Sequence, residues 1–176
     1  MATGYLQLFP GGCATDGSGS GNNTAALSYE VSTGTQTTNT PKATQLKLLF
    51  DATTDEHWCF TFAIPGDYSS GGTLRGVAKF TSATTNNAIM KAGQVTSVDA
   101  STDDDAVVYA AADVSGSIAA PGTQGQTVTF TIALTATNMA ASRKCALFIG
   151  RDPDNASDTA TGDLELLTLV LEYTTA

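Results

Sequence analysis

The sequence predicts an all-β chain: an antiparallel β-sandwich, a jelly roll of about eight strands, with an extended N-terminal arm. Three observations predict it. Residues Thr127 to Thr135 alternate strictly, with Val128, Phe130, Ile132 and Leu134 on one side and Thr127, Thr129, Thr131 and Thr135 on the other. A period of two puts one set of side chains in a core and the other in water. Several further short runs of the same kind follow one another, separated by Gly, Pro, Asn and Asp, and none has a helical period of useful length. Charged residues are only 14% of the 176, well under the usual quarter. Thr, Ser, Ala and Gly replace them, which suits neutral strand faces better than helices laced with ion pairs.

Residues 1–44 read as the arm. Tyr5, Leu6, Leu8 and Phe9 form an apolar patch, followed by Gly- and Ser-rich sequence and by the Thr-rich stretch up to Pro41. Ordering such a linker loses backbone entropy with little apolar area in return. Tyr5, Leu6, Leu8 and Phe9 are therefore expected to be an anchor that orders on a partner.

Residues 45–176 read as the sandwich. Leu46, Leu48 and Phe50 share one face of a first strand. Trp58, Phe60, Phe62 and Ile64 alternate with His57, Cys59, Thr61 and Ala63, and the aromatic side faces the core. Ser69 to Gly72 reads as a turn. Thr73 to Phe80 is a strand with Leu74, Ala78 and Phe80 on one side and Arg75, Val77 and Lys79 on the other. Ala88 to Val98 is a strand broken near Gly93, Val107 to Tyr109 a brief strand, and Ala110 to Asp113 one helical turn. Thr127 to Thr135, Lys144 to Ile149 and Leu164 to Tyr173 complete the set. In the last of these both faces are apolar, which implies a covered central strand or a subunit contact. The contact is favoured, with Leu167, Leu169, Leu171 and Tyr173 as its residues.

The formal net charge of -9 repels phosphates and argues against nucleic acid as a partner. No apolar stretch reaches the length that spans a membrane, and Met1 to Tyr5 lacks the basic start and apolar run of a secretion signal. Cys13, Cys59 and Cys145 are an odd count without a CxxC pair, which fits a reducing cytoplasm as the place of synthesis. His57 is the single histidine, too few for a His-ligated zinc site, and beside Trp58 at a strand start it reads as a strand-edge residue rather than a general base. Asp152, Asp154, Asp158 and Asp163 begin like a calcium loop, but Ala156 and Ser157 break the pattern. Pairing of Asp152 or Asp163 with Arg151 is the alternative. No catalytic residue, metal or cofactor is expected, so the chain reads as non-enzymatic.

Two stretches resemble a known family. Leu48 to Glu56 with Phe60-Thr61-Phe62-Ala63-Ile64-Pro65-x-Asp67-Tyr68-Ser69-x-Gly71-Gly72 is one. Arg151-Asp152-x-Asp154-Asn155-x-x-Asp158-Thr159-x-x-Gly162-Asp163-x-x-Leu166-Leu167 is the other. Both are similar to small structural proteins of tailed-bacteriophage virions. The resemblance implies a jelly-roll capsid decoration, or cement, protein. It would be a homotrimer on the outer capsid surface, bound to the major capsid protein and stabilising the head. The alternative is a head-fibre or tail-fibre type module that binds host glycans through exposed aromatics and the acidic loops, with Trp58, Tyr68, Tyr109 and Tyr173 as candidates, of which Trp58 reads as core.

Overall fold

The computed structural model describes residues 1–10 and 22–176. Cys13 and the glycines of 11–21 lie outside the described residues. Thirteen strands are present among the described residues: β1 Thr3–Leu8, β2 Asn22–Thr24, β3 Ala26–Val31, β4 Thr44–Phe50, β5 Asp55–Ala63, β6 Tyr68–Phe80, β7 Asn87–Ala88, β8 Met90–Thr96, β9 Asp113–Val114, β10 Ile118–Ala119, β11 Thr127–Ala133, β12 Lys144–Arg151 and β13 Leu164–Thr175. One 3-10 turn, Asp104–Ala106, stands where the sequence suggested a helical turn a few residues later.

Eight strands form two facing antiparallel sheets. The first sheet runs β11-β6-β13-β4 and the second β5-β12-β8-β9. Successive strands mostly cross from one sheet to the other, which is the jelly-roll order. β3 extends the first sheet beyond β4, and β2 lies parallel to β5 at the edge of the second. β7 and β10 form a small separate ribbon.

The core lies between the sheets. Phe50, Leu74, Ile132 and Leu164 come from the first, and Phe60, Met90, Leu147 and Ile149 from the second. Each sits where period two places it. Ile64, Tyr68, Cys145 and Tyr173 close one end as a smaller cluster. There the Tyr68 and Tyr173 rings pack 5.8 Å apart, the Tyr68 hydroxyl donates to the Gly71 carbonyl and the Tyr173 hydroxyl to Asp67. Burial pushes the Cys145 thiol up to about 11, so it is an inert core residue.

The structure corrects three expectations. First, residues 1–44 are not a separate arm: β1, β2 and β3 join the two sheets, and residues 32–43 connect β3 to β4. β1 pairs antiparallel with β13 from Thr3↔Thr174 to Leu8↔Leu169, and β3 pairs with β4. Leu8 is buried and Leu6 packs on the core, so β13 of the same chain, rather than a partner, receives them. Second, Leu169, Leu171 and Tyr173 are buried within the chain and are not free for a subunit contact. The cause is a β-bulge between Leu166 and Thr168. One extra residue, Leu167, reverses the facing of everything after it. Leu164 and Leu166 point inward before the bulge, and Leu169, Leu171 and Tyr173 point inward after it. The two apolar faces read from the sequence are one face, interrupted. Third, β6 begins at Tyr68, so the Ser69–Gly72 turn is strand. Gly71 holds a positive φ of 75° within it, a conformation glycine adopts without strain.

Leu171→Ala is expected to lower stability by ~2–5 kcal/mol, the cost of an unfilled core site, read from urea unfolding. Unchanged stability together with a loss of oligomeric mass would return Leu171 to a subunit contact.

Candidate functional site

Two hollows lie on the outer face of the first sheet, and a third adjoins them at a gap in that sheet that opens onto inward-facing residues. Tyr5, Arg75, Val77, Thr129, Thr131 and Val170 line one of about 560 Å³. Glu30, Gln45, Lys79, Thr127 and Leu167 line a second of about 430 Å³. Phe9, Pro10, Leu46 and Leu169 line a third of about 520 Å³, which reaches down to Leu48 and Phe60. Thr168 is common to the first and third, and Gln45 and Leu167 to the second and third. All three meet at the bulge in β13. That strand is flanked on one side by β6 and on the other by β4 for its first half and β1 for its second. The third hollow lies where β4 gives way to β1.

Alternation puts this face together. Arg75, Val77 and Lys79 stand out from β6 as the sequence suggests, opposite Thr131, Thr129 and Thr127 of β11. Tyr5 stands opposite Glu172 across the β1–β13 pair. The Glu172 carboxylate accepts from Nε and Nη2 of Arg75, the latter at 3.2 Å. That partner holds the Glu172 carboxyl below its usual range. The result is one exposed aromatic ring beside a planar ion pair and a row of threonine hydroxyls.

A second group of charges lies beneath the neighbouring hollow. Lys79 pairs with Glu30 and, at 3.1 Å, with Glu165. Lys47 pairs with Glu165 and, at 3.3 Å, with Glu30. Two cations and two anions close a ring of no net charge. Lys79 and Glu165 are both buried, so each depends on its partners to offset the loss of hydration. Hydrogen bonding to Lys79 holds the Glu30 carboxyl below its ordinary value of 4.5. Hydrogen bonding to Glu165 raises Lys47 above 10.5. Burial pulls Lys79 down, but Glu30 and Glu165 outweigh it and leave it raised.

Of the residues expected to act at a surface, Tyr5 reaches the first hollow and Phe9 and Leu167 the third. Leu6, Leu8, Leu169, Leu171 and Tyr173 serve the interior. Tyr68, a candidate glycan platform, is buried. Tyr109 is partly exposed, but its ring packs edge-on against Phe148 at 5.0 Å on the second sheet. His57 packs edge-on on the same ring at 6.5 Å. Phe148 lies over Gly93, where a Cβ would come within 2.6 Å of it. The glycine that suggested a break in the strand is a seat for this ring, and the break falls at Ile89 instead.

The acidic loop after β12 braces itself, though not through the expected carboxylates. Arg151, fully buried, pairs in a fork with Asp158 at 3.0 and 2.8 Å. It also donates to the carbonyls of Gly162 and Ala160 at 2.8 and 2.6 Å. Asp163 instead accepts from the Ala52 amide, and Asp152 from Asn155 and Lys91. Among the described residues no three His, Cys, Asp or Glu side chains gather as a metal would need, and no helix is long and apolar enough to cross a membrane.

The ion-pair ring and the Arg75–Glu172 pair were not found from the sequence. A signal was present: Lys47, Lys79, Glu165 and Glu172 all stand in strands at positions that alternate with core residues. Their partners follow only from the order of strands in the sheet.

No family model and no curated protein matches the chain. Among solved structures it is similar to the CBM35 of Cellvibrio japonicus Abf62, at 10% identity over 98% of this chain and 99% of that one, with a TM-score of 0.44. It is similar to tailspike protein 4 of bacteriophage CBA120, in its enzymatically active domain, at 11% identity, 96% and 19% coverage and a TM-score of 0.36. It is also similar to the family 11 carbohydrate-binding module of Clostridium thermocellum, solved with a β-1,3-1,4-mixed-linked tetrasaccharide, at 12% identity, 96% and 87% coverage and a TM-score of 0.36. Likeness at this level does not bear on what this chain binds.

Two outcomes are expected. Asp158→Ala leaves the Arg151 guanidinium buried and unpaired, and should lower the unfolding free energy by ~3–5 kcal/mol in denaturant titrations. The ring of Lys47, Lys79, Glu30 and Glu165 contributes stability that fades as pH falls below 4.5 toward the depressed Glu30 value. It also fades as pH rises above 10.5 through the raised lysine values, because a depressed acid and raised bases are linked to folding in those directions. Urea midpoints across pH should form a plateau between these limits, and Glu30→Gln should flatten the acid limb.

Proposed function

We propose that the chain is a non-catalytic glycan-binding module that holds its ligand on the outer face of the first sheet. The observation that carries this is the first hollow. There the exposed Tyr5 ring, the Arg75–Glu172 pair and the Thr129 and Thr131 hydroxyls line one shallow depression. A sugar ring offers an apolar face to stack and a rim of hydroxyls to bond, and this set of groups answers both. The ligand is a neutral glycan. Arg75, Lys47 and Lys79 are each paired with a carboxylate, which leaves no cation among these three for a carboxylated sugar, and the net charge of -9 repels one.

Nothing on this face suits glycoside cleavage. That reaction needs a carboxylic acid that keeps its proton near neutral pH. Glu30 and Glu172 are both held in the ionised form by their cations.

Capsid decoration, which the resemblance implies, drew its physical support from a free apolar-tipped arm and a two-sided final strand. Pairing of β1 with β13 accounts for Leu6 and Leu8 within the chain, and the bulge accounts for Leu169 and Leu171. Phe9 alone of the aliphatic and phenyl anchor residues remains exposed.

An array of neutral and acidic glycans tests the proposal. Binding to neutral chains is expected, nearly independent of salt. Tyr5→Ala and Arg75→Ala should each weaken it about tenfold or more, and Tyr109→Ala should leave it unchanged. An array without binding, or binding indifferent to Tyr5 and Arg75, rejects the proposal.

A further inference from the structure

The second hollow continues the first along β6 and β11. Val77 and Thr129 belong to the first, and Lys79 and Thr127, two residues further along the same faces, to the second. On β13 the passage is from Thr168 to Leu167. Tyr5 stands at the far end of this line, opposite Glu172, which pairs with Thr73 of β6. Thr73 to Lys79 lie within one strand and span ~20 Å at the rise of a β-strand. One sugar ring beside Tyr5 and Arg75 leaves the greater part of that length unused.

The groups along the line suit a sugar throughout. Thr131, Thr129 and Thr127 are all exposed on one face of β11. Alternation spaces them ~7 Å apart, and each hydroxyl can both donate and accept. At the second hollow Gln45, exposed at the start of β4, adds a carboxamide that also does both. Glu30 is there as well, its side chain 35% exposed although Lys47 and Lys79 hold it. A carboxylate fixed in this way keeps lone pairs for a sugar hydroxyl, and a hydrogen bond to a charged acceptor is the stronger kind. Ser32, Thr33 and Ala43 from the connection between β3 and β4, and Gly125 ahead of β11, stand around the hollow. The face therefore dips here as it does at Tyr5.

We propose that the ligand is a linear neutral glycan of about three or more sugar units lying along β6 and β11. One sugar stacks on Tyr5 in the first hollow, and another bonds to Thr127, Gln45 and Glu30 in the second. This rests on the first hollow as a glycan site and adds the length and direction of the chain it takes. A single terminal sugar would occupy the first hollow alone. Two subsites on one rigid sheet hold linked sugars together, so the second contact forms with little further loss of freedom.

Glucose, mannose, galactose and N-acetylglucosamine oligosaccharides, from single sugars to about six units, are titrated calorimetrically into the whole chain to test this. In a series that binds, affinity is expected to rise at least about tenfold between one and four units and then to level off. Thr127→Val and Gln45→Ala should each weaken the four-unit chain about tenfold more than the single sugar, whereas Tyr5→Ala weakens every length. Valine keeps the branched shape and strand preference of Thr127, and urea midpoints near that of the wild type verify the fold. Full affinity for a single sugar overturns the proposal. So does a gain with length that neither Thr127→Val nor Gln45→Ala reduces. In both cases Tyr5-dependent binding still upholds the first hollow as a glycan site. Binding to none of the four series overturns the proposal as well, and the array then decides the glycan-binding reading by itself.

Discussion

Residue Leu167 is one residue too many for the strand that contains it, and most of the molecule is arranged around that fact. β13 is a central strand of the first sheet, with β6 along one edge and β4 followed by β1 along the other. A regular strand with this sequence would turn Leu169, Leu171 and Tyr173 to solvent once Leu164 and Leu166 were buried. The bulge keeps all five inside. It adds twist and bends the strand, and at the same place the pairing on its far edge passes from β4 to β1. Two hollows of the outer face and a third that opens through the sheet converge there. The core and the candidate site thus share one irregularity.

Charges on the two outer faces are used differently. On the first sheet, Lys79 and Glu165 are buried under their own network, so the face presents hydroxyls and one aromatic ring rather than free charge. On the second sheet, the seat over Gly93 is filled by Phe148, and Tyr109 and His57 pack against it. Beside that sheet the buried Arg151 holds its loop by four hydrogen bonds, two of them to Asp158. A buried guanidinium tolerates this because each bond is charge-assisted. One outer face is therefore covered by its own side chains, and the other is left with room.

Much of the fold was legible in the sequence, and the failures share a cause. Trp58, Phe60, Leu74, Ala78, Phe80, Phe130 and Ile132 could be placed in the core from alternation, because each lies in a regular strand whose phase does not change. Leu169, Leu171 and Tyr173 could not, because a bulge changes the phase without a mark in composition. The β1 segment looked like an arm because a short apolar run ahead of Gly-rich sequence has no local partner. Its partner is β13, more than 160 residues along the chain. The self-braced loop was anticipated in kind, but Asp158 rather than Asp152 or Asp163 meets Arg151, since three nearby carboxylates cannot be ranked by spacing alone.

The amino-acid sequence by itself determined the all-β class, the inward face of each regular strand and the lack of local catalytic motifs. These follow from side-chain period and residue type, which are local properties. Only the tertiary structure decided which strands are neighbours, where the phase of β13 reverses, and which cations meet which carboxylates on the first sheet. Those depend on contacts between residues far apart in the chain, and in a jelly roll nearly every strand pairs with one that is not its neighbour in sequence. The surface that remains for function is what such pairing leaves uncovered.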